Sequence, residues 1–104
     1  MSSLLYGRPD QAVSGNITPR GFQQITSLSA STALTVPAGA KVALIQAETQ
    51  SVRWRPDGST TAPTASVGVV LAAGETLPYT GDLSAIRFIE TTASAKLNVA
   101  YFGD

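Results

Sequence analysis

The chain has 104 residues, 43% of them hydrophobic and 13% charged, which is a globular composition with room for a single core. Seven Lys and Arg balance seven Asp and Glu, and this zero formal charge withholds the electrostatic attraction behind non-specific nucleic-acid binding and attachment to anionic membranes. Cysteine and histidine are both absent, so disulfides, thiolate nucleophiles, Ser-His-Asp triads and HExxH metal sites are excluded, and an enzyme would have to work with carboxylates or lysine.

The N-terminal stretch contains Gly7, Pro9, Gly15, Asn16 and Pro19 with neither a helical nor a strand period. It reads as an extended arm over residues 1–21, ahead of a β-sandwich domain over residues 22–104. The arm has neither the basic start nor the apolar run of a secretory signal, and no apolar stretch elsewhere is long enough to cross a bilayer. Its apolar points are Leu4, Leu5, Tyr6, Val13 and Ile17, of which Leu4, Leu5, Tyr6 and Ile17 are the anchors it would lay on a neighbouring subunit or partner.

From Phe22 onward, short Thr/Val/Ile/aromatic runs alternate with Gly, Pro and Asp-Gly turns at the spacing of a sandwich or barrel. Strands are expected near Gln23–Ser29, Ala33–Val36, Lys41–Glu48, Ser51–Arg55, Ser66–Leu71, Thr76–Tyr79, Ala85–Glu90 and Lys96–Phe102. About eight short strands fit a jelly-roll-like, all-β fold. Between them, Pro37 supplies φ near −65° and Gly39 a positive φ, Asp57-Gly58 makes a turn after Arg55, and Asp82 is placed to cap one short turn.

Alternation sorts the strand faces. Val52 and Trp54 alternate with Arg53 and Arg55, so the indole is expected in the core and the arginines on an exposed face, pairing with Glu48 or Glu90 or crossing an interface. Val42–Ala47 is apolar or small on both sides, as suits a central strand or one covered by another subunit. Ile45, Ile89 and Phe102 fall on nominally outer positions and point to a homo-oligomer, a trimer being favoured.

The seven acidic residues are scattered singly, and those beside Gly58 and Gly81 are explained by turn chemistry. No catalytic, cofactor-binding or metal-ligating set is selected. The Arg53-Trp54-Arg55 triplet has the composition of a nucleic-acid stacking groove, but its alternation turns the ring away from both cations.

The run from Ala43 to Tyr101 resembles small proteins encoded among the structural genes of tailed bacteriophages and prophages. The resemblance is carried by Gln46-Ala-Glu48, Val52-Arg-Trp-Arg55, Asp57-Gly58, Pro63-Thr64, Ser66-Val-Gly68, Ala73-Gly74, Tyr79-Thr-Gly-Asp82 and Leu97-Asn-Val-Ala-Tyr101. It implies a virion component made in the host cytoplasm: a capsid decoration (cement) protein on the capsid surface, or a head or tail accessory protein. Its partners would be further copies of itself and the major capsid protein or another virion protein, with no nucleic acid, membrane or cofactor. The competing expectation is a receptor- or carbohydrate-binding tail domain with exposed aromatics such as Tyr6 or Tyr79 as platforms. The interface residues expected are therefore Leu4, Leu5, Tyr6, Ile17, Ile45, Arg53, Arg55, Ile89 and Phe102.

Overall fold

A computed structural model describes residues 17–59 and 62–103. These form eight strands and, among the described residues, no helix: β1 (Thr18–Ile25), β2 (Thr32–Ala33), β3 (Ala40–Glu48), β4 (Val52–Arg55), β5 (Val69–Leu71), β6 (Thr76–Tyr79), β7 (Arg87–Glu90) and β8 (Lys96–Gly103). Every expected strand overlaps an observed one. The turns that end them follow from local chemistry. Gly39 takes φ 81° in a turn closed by Ala40 N–H donating to the Pro37 carbonyl. Gly74 takes φ 88° where Glu75 N–H reaches the Ala72 carbonyl. The Asp82 carboxylate accepts Ser84 N–H in the turn whose Ala85 N–H returns to the Asp82 carbonyl.

The strands make two antiparallel four-stranded sheets, in the orders β1-β8-β3-β6 and β2-β7-β4-β5. Their pairing is nested. β4 and β5 pair innermost, then β3 with β6, β2 with β7, and β1 with β8 outermost. One long hairpin bent over on itself gives this nesting, and the contacts β3·β8 and β4·β7 then complete the two sheets. Strands that alternate between sheets need chain crossings at both ends, and the apolar residues of those crossings help to fill the interior.

The inner faces contribute to one apolar cluster. Ile25, Ala43, Ile45, Leu97, Val99 and Tyr101 come from the first sheet, and Val52, Leu71 and Phe88 from the second. Leu28, Leu34, Leu83 and Ile86 on the connections join the same cluster, giving a sandwich-like arrangement. Trp54 of β4 and Tyr79 of β6 meet edge to face, with ring centroids 6.1 Å apart, joining the two sheets at the margin of the cluster. At the end of the first sheet, Gly103 lies so close to the Gly39 carbonyl that no side chain fits there.

Three expectations are corrected. Ile45 is fully buried, because Ala43, Ile45 and Ala47 share the inner face of β3 and Leu44 takes the outer one. Trp54 points to the core side with Val52 but is only half-buried, since it sits at the rim of the cluster. Thr18–Gly21, assigned to the arm, already belong to β1, where Thr18 pairs with Gly103 and Gly21 with Tyr101 across a bulge. The sheet therefore begins before Phe22.

Candidate functional site

The outer face of the first sheet follows directly from strand parity. In β3, Gln46 and Glu48 face outward, so Leu44 and Val42 must share their side. In β8 the buried series Leu97, Val99 and Tyr101 leaves Asn98, Ala100 and Phe102 outside. Cross-strand register then assembles these residues into rows. Phe22, Ala100, Leu44 and Pro78 lie side by side across all four strands. The next row is Gln24, Asn98, Gln46 and Thr76. On the other side of the apolar row, Phe102 stands between Pro19 and Val42.

Phe22 is 68% exposed and Leu44 43%, high values for large apolar side chains on a sheet. The small Ala100 between them leaves a shallow groove of about 220 Å³ with Gln46, Thr76 and Asn98 along its polar side. The amides beside it are tied together: Gln24 Nε2 donates to Asn98 Oδ1 (2.9 Å), and Asn98 Nδ2 donates to Glu48 Oε1 (2.8 Å). One edge of the groove is thus a pre-ordered polar strip, and the other is an unbacked aromatic ring.

The outer face of the second sheet differs in kind. Ile89, Arg53 and Val70 form one row there, and Arg87 and Arg55 the next. The arginines are engaged locally. Arg53 Nε donates to the Ala65 carbonyl (3.0 Å) and its Nη1 to the Gly68 carbonyl (2.9 Å), holding down the 62–68 loop. Arg87 donates to both Ser31 Oγ and the Ser31 carbonyl (2.8 Å each), while Ser31 Oγ donates to the Ala62 carbonyl. Arg55 forms a salt bridge with Asp57 in the adjoining turn. The expected ladder from Arg53 and Arg55 to Glu48 or Glu90 does not form, since backbone carbonyls and Asp57 are nearer partners. Glu48 instead accepts from Asn98 on the opposite sheet.

Among the described residues, the expected interface residues do not come together. Arg53, Arg55 and Ile89 lie on the outer face of the second sheet, Phe102 on that of the first, and Ile45 inside. Ile17, 53% exposed, precedes β1, while Leu4, Leu5 and Tyr6 lie outside the described residues. Tyr79, named as a sugar platform, is half-buried against Trp54. Sequence reading missed Phe22 and Leu44. For Leu44 the signal was present, because Gln46 and Glu48 fix the outward parity of β3. Phe22 had no such marker, its strand containing two consecutive glutamines.

Among the described residues, no cluster of three or more acidic groups is close enough to hold a metal ion. The Asp82 carboxyl is held below its ordinary value by the Ser84 hydroxyl and N–H that it accepts, which belong to its turn. Burial pushes the Tyr101 phenol up to about 12; its hydroxyl donates to Gln23 Oε1 at 2.7 Å. Compared with known proteins, the chain matches no family model, no curated protein and no solved structure.

Proposed function

We propose that this chain is a non-enzymatic structural protein of a virus particle, a capsid decoration (cement) protein that self-associates and reinforces the shell from outside. The observation that carries the binding role is the apolar row Phe22, Ala100, Leu44 and Pro78, spread over an entire sheet face. A soluble domain gains nothing from such a surface unless something covers it. The virion setting rests on the resemblance of Ala43–Tyr101 to tailed-phage structural proteins. The nested pairing of β1 with β8, β2 with β7, β3 with β6 and β4 with β5 supports reading the sandwich as a jelly roll, an architecture found in capsid domains.

Particles assembled with and without the protein test this reading. If it is cement, particles lacking it form normally but burst at a lower temperature or on chelation, and adding the protein back restores their resistance. Failure to bind the particle at all removes the proposal. A second reading, a carbohydrate-binding tail domain, draws on one observation: Phe22 is an exposed ring beside the Asn98 and Gln46 amides, the pairing of stacking face and hydrogen-bonding edge that sugars require. Density at the tail tip rather than over the shell in electron microscopy favours it.

A further inference from the structure

The outer face of the first sheet carries a knob and a hole side by side. Phe22 projects from β1, and next to it the small Ala100 opens the groove that Leu44 closes on its far side. We propose that this face closes on the same face of a second copy about a two-fold axis, the Phe22 ring of each copy entering the groove over Ala100 of the other. The inference rests on the self-association proposed above and names the surface responsible.

A second copy is the occupant that fits best, for three reasons. A surface holding both a projection and its recess within one row is complementary to itself, the requirement of an isologous interface. Its charge pattern permits the pairing: the apolar row and the amide row beside it carry no charged residue, the next row sets Glu48 beside Lys96 with opposite signs, and amides both donate and accept, so identical strips can face each other without repulsion. The area is of the right order. Three strands of about seven residues and the four-residue β6, at ~4.8 Å spacing and ~3.4 Å rise, cover roughly 400 Å² per copy as a flat patch, or roughly 800 Å² for the pair. Phe22 and Leu44 stand above that plane and add to this flat value, in the direction of the about 1,000 Å² expected of a specific interface. A single self-complementary face closes as a dimer. A trimer would require two different surfaces, whereas this one face carries both the projection and the recess.

The test uses the full chain and two substitutions on opposite halves of the contact. Wild-type protein should sediment as a dimer at micromolar concentration, and Phe22→Lys and Ala100→Glu should each sediment as monomers with their native circular dichroism retained. An equimolar mixture of the two variants should recover a dimer, because one of its two contacts places the new cation against the new carboxylate and the other remains Phe22 against Ala100. Leu44→Glu, at an exposed position, replaces Ala100→Glu as the monomer-forming variant if the latter melts early. A wild-type monomer, a dimer or trimer that survives Phe22→Lys, or a mixture that stays monomeric overturns the proposal. So does a glycan that binds wild-type protein and is lost with Phe22→Lys. An oligomer that survives Phe22→Lys leaves the cement reading standing with a different contact surface, whereas loss of particle binding by the wild type defeats that reading whatever the outcome here.

Discussion

Tyr101 shows how one residue couples the core to pH. Its ring fills the interior between the sheets while its hydroxyl donates to Gln23 Oε1, which also accepts Thr35 N–H at 3.2 Å. The phenol thus ties β8 to β1, and through Gln23 to the connection after β2. Burial raises its folded pKa to about 12, above the ordinary value of 10.0. The unfolded chain therefore releases this proton first as pH rises, so the associated stability is intact below about pH 10 and is lost between about 10 and 12. Melting temperature should fall across that window, and Tyr101→Phe should flatten the fall and remove the latest phase of phenolate absorbance. Trp54 belongs to the same scale. A fully buried Trp truncated to Ala costs about 3–5 kcal/mol, and its half-buried position beside Tyr79 lowers the expectation for Trp54→Ala to about 2–3 kcal/mol. Denaturant unfolding measures it, and a loss below about 0.5 kcal/mol, the range of ordinary surface substitutions, would show that the ring contributes little packing.

At the level of strands, parity decides what was legible in the sequence. Turn chemistry and β-branched runs located all eight strands, because Pro37, Gly39, Gly58 and Gly74 mark where the chain must reverse. Faces were most legible where a charged or polar residue sits two positions from the apolar one, as Arg87 does for Ile89. Leu97, Val99 and Tyr101 alternate with Lys96 and Asn98, and the structure buries that series. In β3 the outward polar pair comes only at the end, so Ile45 was read one position out of phase. The arginines were misread for another reason. Their partners are carbonyls of a loop brought near by folding, and a backbone carbonyl leaves no trace in sequence. Arg53→Met keeps the side-chain stem while removing both donors to Ala65 and Gly68. It should cost about 1–2 kcal/mol and loosen protease resistance in the 62–68 loop, yet leave self-association unchanged. Weakened association at unchanged stability would instead return Arg53 to an interface role.

For the molecule as a whole, net charge and surface character together determine what kind of force the proposed self-association would draw on. With seven positive and seven negative side chains and a pI near 6.1, the protein has no net charge at pH 7 to steer a partner. Arg55 and Asp57 neutralise each other on the outer face of the second sheet, and the apolar row of the first sheet carries no charge at all. Contacts through that row should therefore be hydrophobic in their response to solvent. Sodium chloride screens exposed charge pairs down to a Debye length of about 3 Å at 1 M but does not remove apolar burial, whereas sulfate strengthens it. Self-association measured by sedimentation should persist at about 1 M sodium chloride and tighten in sulfate. It should also weaken on cooling toward 0 °C, because apolar burial loses driving force as temperature falls. Attachment to a particle through the same kind of surface should follow the same pattern. Dissociation by sodium chloride alone would show that paired charges, and not Phe22, Leu44 and Ala100, hold the assembly together.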